Sequence, residues 1–329
     1  MPRARFSAVD AHNHLGRWLS PDGDWTTPEL GALLELMDAS NVRAIVNLDG
    51  MWGDELEANL DRYDRAHPGR FSTFCQLDWG QTVRPGFGQR LAASVERSAA
   101  AGAKGLKIWK DLGTRVRDDR GVLVLPDDAR LVPIWAAAAD RGLSVAIHTA
   151  DPVAFFDPVD ERNERLEELL AHPDWSFADG ERFPRFDRLI ESLETLVGAN
   201  PLTTFVGVHV GGYAEDLAWV TRMLDTNPNF YVDVAARLAE LGRQPRTARR
   251  LIETHADRVL FGTDAFPPDA RTYAIHFRFL ETGDEHFAYS GDDPPPQGRW
   301  AVSGLELPDD VLRKVYAENA LRLIPSLDG

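Results

Sequence analysis

Short runs rich in apolar and β-branched residues recur along the chain at 6–13, 42–49, 71–78, 103–109, 143–149, 203–209, 229–235 and 258–264. Between them the apolar positions fall at helical spacing, which predicts helices over 28–40, 53–66, 88–101, 129–141, 186–198, 215–226, 244–256 and 308–323. Proline stands where a first helical turn tolerates it, in Thr27-Pro28-Glu29 and Leu307-Pro308-Asp309, because the N–H it lacks has no partner there anyway. Eight strand-then-helix units in 329 residues predict an α/β fold, a (β/α)8 TIM barrel read as a single domain over 1–329. The rival is an open, doubly wound sheet. No G-x-G-x-x-G follows the first strand, which ends in histidines instead.

Two connections exceed the ideal unit. The one after the fifth strand, 150–186, carries an extra helical pattern at 160–172, and the one after the eighth strand runs over 265–307. Long βα segments sit at the catalytic face of this fold, so both are expected to be lids or subunit contacts, and a homo-oligomer is expected.

Composition narrows the partners. With 36 Lys and Arg against 52 Asp and Glu, the net charge of −16 repels phosphate backbones and anionic lipid heads, which argues against nucleic acid and membrane surfaces. No apolar stretch approaches the ~18 residues a bilayer requires. A single cysteine, Cys75, cannot close an internal disulfide, so a reducing cytoplasm is the expected compartment. A small molecule remains as the expected substrate.

The candidate chemistry lies at strand ends. Alternation places Asp10, His12 and His14 on one face of the first strand, His148 ends the fifth, His209 the sixth and Asp264 the eighth. In a barrel the C-terminal ends of all strands open onto one mouth, so these groups are expected to converge. Imidazoles with a carboxylate suit one divalent metal ion, zinc first, with manganese or iron as alternatives. The other histidines, His67, His172, His255, His276 and His286, read as solvated or structural. Gly105, Ala146, Gly207 and Gly262 each precede a site residue by two, and their small side chains are expected to leave room beneath it.

The D-x-H-x-H of the first strand together with His148, His209 and Asp264 resembles the amidohydrolase superfamily, in the branch that includes aminocarboxymuconate semialdehyde decarboxylase-like enzymes. The closing VYAENALRLI at 315–324 is similar to that group's usual ending. The resemblance implies metal ligation by His12, His14, His148 and Asp264, with His209 as the catalytic acid or base. Dinuclear members of the superfamily bridge two metals through a carboxylated lysine at about the place of Lys107. An inward lysine equally suits binding of a substrate carboxylate. Asp233 reads either as an orienting group or as a structural carboxylate.

Trp18, Trp52, Trp79 and Trp109 follow or end the first four strands, with Trp25 in the first loop, and are expected to wall a pocket for a ring-bearing substrate. Arg17, Arg237 and Arg271 lie on mouth loops, where they either clamp a carboxylate or face solvent. Two reactions fit. In the first, a metal-dependent hydrolase, Asp264 takes the proton of an activated water and His209 serves the oxyanion or leaving group, opening an amide, lactone, ester or C–C bond. The alternative is a metal-dependent, non-oxidative decarboxylase of an aromatic or unsaturated acid. Benzoate-type decarboxylases of this branch carry glutamate in place of the first histidine, so intact His12 and His14 lean toward hydrolysis, although the semialdehyde decarboxylase subgroup keeps both. A binding module without catalysis is the third reading.

Overall fold

The computed structural model describes residues 1–327. Its strands are β1 (Ala8–Asn13), β2 (Val42–Asn47), β3 (Phe71–Thr73), β4 (Gly105–Ile108), β5 (Ser144–Ile147), β6 (Phe205–Gly207), β7 (Phe230–Asp233) and β8 (Val259–Leu260). Continuous parallel pairing runs β1-β2-β3 and β4-β5-β6-β7-β8. Between β3 and β4 the ladder continues through Cys75, whose N–H donates to the Gly105 carbonyl at 2.9 Å and whose carbonyl accepts the Lys107 N–H at 2.8 Å. Between β8 and β1 the Ala11 N–H donates to Phe261 O at 2.9 Å and the Asp264 N–H to His12 O at 2.8 Å. The first and last strands are therefore neighbours and the sheet closes on itself, the (β/α)8 barrel that the sequence predicts. Each strand is shorter than its apolar run, because pairing stops where the chain splays into the loops of the mouth.

Helices Leu30–Ser40, Gly53–Leu60, Phe87–Ala101, Val132–Asp140, Phe186–Ala199, Leu217–Thr226 and Pro245–Thr254 cross back outside the strands. The closing segment, Asp309–Leu323, is a composite: its middle turn, Lys314–Glu318, is π-helical. A further helix, Ala270–Glu281, lies inside the long connection 265–307, where the apolar spacing predicts none. Its signal was the N-cap at Asp269, whose carboxylate accepts the N–H groups of Arg271 and Thr272.

Outward strand residues such as Phe205, Phe230, Val232 and Phe261 pack beneath the helices. A separate inner cluster, including Val9, Val46, Phe74, Ala146 and Val206, fills the barrel, and Ala320, Ile324 and Leu327 join it from the closing segment. This changes the reading of the small residues. A Cβ on Gly105 would fall 2.3 Å from the Phe74 ring, so that glycine makes room for the barrel's floor rather than for a ligand. Gly207 meets Phe230 on the outer side, while Val206 and Val208 of the same segment face the inner cluster. Gly262 does serve the site: a Cβ there would lie 2.8 Å from Cβ of His12.

The two long connections are fastened down. Arg165, fully buried, pairs with Glu168 and Glu240 and lies 5.5 Å from the Trp300 ring, tying the segment after β5 to those after β7 and β8. Phe287 and Val302 exchange backbone hydrogen bonds of 2.9 Å, folding the segment after β8 back on itself. Among the described residues no helix is long and apolar enough to cross a membrane.

His276, read from sequence as structural, is buried, its Nδ1 2.8 Å from Thr272 O and its Nε2 without a partner. Burial pulls its pKa from 6.5 to about 4. Between those values the unfolded chain binds a proton that the folded one does not, so this group's support is present above pH 6.5 and is lost as pH falls to 4. At pH 5 the loss amounts to about 2 kcal/mol. His276→Phe should therefore gain stability relative to the parent on moving from pH 7.5 to about pH 5, read as the difference in chemical-denaturation midpoints; a constant difference across that range contradicts the assignment.

Candidate metal centre

The site begins with an irregularity in β1. From the pair Asp10–Ile45 to the pair Asn13–Asn47 the chain advances three residues on β1 and two on β2, so one extra residue is inserted. The insertion corrects the simple alternation. Asp10 leaves the group of donors and accepts hydrogen bonds from Asn13 Nδ2 at 3.0 Å, Thr263 Oγ1 at 2.7 Å, the Thr263 N–H at 3.0 Å and the Tyr273 hydroxyl at 3.1 Å. It ties β1 to the end of β8, which fixes where His12 and Asp264 meet.

His12 Nδ1 lies 2.8 Å from Asp233 Oδ2, leaving Nε2 buried and unpartnered, 3.6 Å from Asp264 Oδ1. His14 Nε2 stands 3.2 Å from that same oxygen. His12, His14 and Asp264 each place a donor atom within 4.8 Å of the others. The second oxygen of Asp233 accepts the N–H of His209 at 2.8 Å and of Ala235 at 3.1 Å, so one carboxylate orients two of the histidines. His209 is held at Nδ1 by the Ala235 carbonyl, 2.9 Å, and points Nε2 toward Asp264 Oδ2 at 3.9 Å. His148 stands beside His209, ring centroids 4.6 Å apart, outside the three-residue donor group. Its Nε2 is 3.2 Å from Asp151, whose other oxygen meets Lys110 Nζ at 2.5 Å, and its Nδ1 has no partner.

Backbone strain concentrates here. His209, Val210 and Asp264 have φ of 58°, 59° and 60°, a region that non-glycine residues occupy at a cost of about 1–3 kcal/mol each. The left-handed turn is what brings His209 into the mouth, because its strand neighbour Val208 already takes the inward place.

Burial favours neutral imidazoles, taking His14 and His148 to about 4 and His209 well below its ordinary value. Burial opposes the charge of Asp264, but His12 and His14 beside it hold its carboxyl below the usual range. At neutral pH the centre thus offers free imidazole nitrogens and an ionised carboxylate, the donor types a divalent ion such as zinc or manganese takes. The orphaned Nε2 of His12, aimed by Asp233, is the atom most in need of such a partner. Lys107 is buried next to this group, its Nζ unpartnered and 5.1 Å from the Trp109 ring centroid, and burial brings its pKa down to about 8.

A cleft of about 460 Å³ opens over these residues. Its aromatic walls include Trp109, 4.9 Å from the His14 ring, Trp18, packed edge-on against Trp109 at 4.7 Å, and Phe266, perpendicular to His14 at 5.5 Å, with Phe155 and Trp175 farther out. The other expected tryptophans stand elsewhere. Trp52 lines a separate surface hollow with Asp78 and Arg90, Trp79 and Trp25 pack on the outer core, and Arg17 is engaged by Glu55. The tryptophans follow successive strands, but their loops turn outward before reaching the mouth. Arg237 lines the cleft, with a single hydrogen bond to the Ala236 carbonyl, while Arg271 lines a neighbouring cavity. Sequence reading missed Phe266 and the Asp151–Lys110 pair. Asp151 carried a signal, a carboxylate three residues beyond a strand-end histidine.

A closed (β/α)8 barrel with histidines and an aspartate gathered at the C-terminal ends of β1, β5, β6 and β8 defines the class of the molecule. A family model described as Amidohydrolase matches residues 9–325, and the chain belongs to that family. Similar solved structures include 2,6-dihydroxybenzoate decarboxylase from Rhizobium, 17% identical over 98% of this chain and 100% of that one, TM-score 0.60. Dihydroxybenzoic acid decarboxylase from Polaromonas, with bound manganese and the inhibitor 2-nitroresorcinol, is 18% identical over 97% of each chain, TM-score 0.59. An uncharacterized TIM-barrel protein from Bordetella bronchiseptica is 16% identical over 98% of this chain and 99% of that one, TM-score 0.58. At these identities the likeness is one of fold. The search of curated proteins found no match.

Proposed function

We propose that the chain is a metal-dependent hydrolase of a small, planar, acid-bearing substrate. The observation that carries the reading is the ionised Asp264, one oxygen of which lies between His12 and His14 while the other turns toward His209. His12, His14 and Asp264 would hold the ion, with His148 completing the set if it turns from Asp151. A divalent ion there supplies Lewis acidity and lowers the pKa of water beside it. Asp264, kept ionised by its neighbours, takes the proton of the attacking water. His209, neutral and with its Nδ1–H given to the Ala235 carbonyl, presents an unprotonated Nε2 toward Asp264; there it receives the proton that Asp264 took from the water and passes it on to the leaving group. Trp18, Trp109 and Phe266 wall the cleft for a planar ring, and the guanidinium of Arg237 on its lining offers charge to a substrate carboxylate, with the ammonium of Lys107 buried beneath the metal centre.

A second reading, non-oxidative decarboxylation of an aromatic acid, has support from the two solved decarboxylases that share the fold and from the cations near the cleft. Isotopes separate the two. With the manganese- or zinc-loaded protein and a panel of aromatic acids, lactones and amides, hydrolysis places ¹⁸O from labelled water in the product. Decarboxylation instead releases carbon dioxide and, in deuterium oxide, places deuterium on carbon. The proposal expects ¹⁸O without carbon dioxide; deuterium on carbon with carbon dioxide overturns it in favour of the second reading.

A further inference from the structure

We propose that the reacting cleft is only half of the substrate site, and that the cavity beside it receives an apolar or aromatic tail of the same molecule. This rests on the functional reading above and extends it to the substrate's shape. The second cavity, about 940 Å³, is larger than the cleft of about 460 Å³. The two share walls at Glu168, Trp175, Ala236, Asp264 and Gln297. Asp264, the proposed proton acceptor, therefore stands at their junction, and a molecule reaching the metal centre from the larger cavity passes its carboxylate.

The chamber's chemistry points to an uncharged, apolar occupant. Apart from Asp264 at the junction, its charged groups are engaged with one another or with the chain: Glu167 pairs with Arg299, Glu168 with Arg165, the Asp269 carboxylate caps the helix it begins, and at the outer rim Asp292 accepts the Ser290 hydroxyl at 3.1 Å and lies 4.0 Å from Arg271. What remains toward the space is largely apolar, including Leu238, Ile275, Trp175 and the run Pro294-Pro295-Pro296. The walls are also preformed. The Tyr289 hydroxyl accepts the N–H groups of Gln297 at 3.0 Å and Gly298 at 2.9 Å, closing the proline segment into a fixed loop. Arg165 fastens the opposing segment. A pocket rigid before binding loses little entropy on ligand ordering, which favours discrimination by tail length.

The test uses chelating probes on the manganese-loaded protein, acetohydroxamate and 6-phenylhexanohydroxamate, with dissociation constants from titration calorimetry. The parent is expected to bind the tailed probe at least about tenfold more tightly. Ile275→Trp fills the chamber and should erase that gain while leaving acetohydroxamate unchanged. Ala171→Trp, at an exposed helix end on the same wall, should reduce the gain and guards against misfolding of the first variant. Equal affinity of the two probes for the parent, or a gain that survives both substitutions, overturns the chamber alone. Failure of both probes to bind the manganese-loaded parent counts against the metal-centre reading and removes the chamber proposal with it.

Discussion

His12→Ala abolishes metal uptake and turnover together. His12 turns an unpartnered Nε2 to the site while Asp233 clamps its ring from behind at Nδ1, so its removal deletes a positioned ligand. His14 and Asp264 remain, with His148 held at Nε2 by Asp151, and this gives a divalent ion too few protein ligands for stable binding. Elemental analysis after dialysis should find near-zero metal, and kcat should fall below detection. Asp233→Asn keeps every donor but loosens both His12 and His209, and should weaken metal affinity by about 10–100-fold. A His12→Ala protein that retains metal near the parent's stoichiometry contradicts the assignment.

His209→Ala separates chemistry from ligation. Its Nε2 is 3.9 Å from Asp264 and its Nδ1 is occupied by the Ala235 carbonyl, so the ring serves the cleft from a fixed pose outside the group of His12, His14 and Asp264; the second cluster, His12, His209 and Asp233, is spent in the hydrogen bonds of the Asp233 carboxylate. Metal content should stay near that of the parent while kcat falls by about 10²–10⁴-fold, the usual worth of a positioned acid or base. Elemental analysis and steady-state kinetics on one preparation check both halves. Loss of metal would make His209 a ligand, and unchanged turnover would remove it from the mechanism.

Much of this was legible from the order of residues alone. The period of the apolar positions marked all eight strands, and polar groups at the ends of apolar runs marked His12, His14, His148, His209 and Asp264, because a barrel converts strand ends into one mouth. What escaped was local geometry. The extra residue in β1 that turns Asp10 aside breaks the two-residue alternation with no proline or glycine to announce it, and at the left-handed turn that swings His209 inward Gly211 and Gly212 mark a turn without showing that His209 and Val210 share it. The tryptophans misled for a different reason. Loop length does not tell which way a loop leaves the barrel, so Trp18 and Trp109 reached the cleft while Trp52 and Trp79 did not. The helix Ala270–Glu281 and the wall residue Phe266 were hidden in a long connection whose caps, not its periodicity, carried the signal.

The central claim is that His12, His14 and Asp264 form one divalent-metal centre. Anomalous diffraction at the zinc edge, from crystals of zinc-loaded protein, tests it most directly. The expected result is a single strong peak about 2.0–2.2 Å from an imidazole nitrogen of His12, one of His14 and a carboxylate oxygen of Asp264. A peak that bypasses these three side chains, or none in protein shown by elemental analysis to carry zinc, contradicts it.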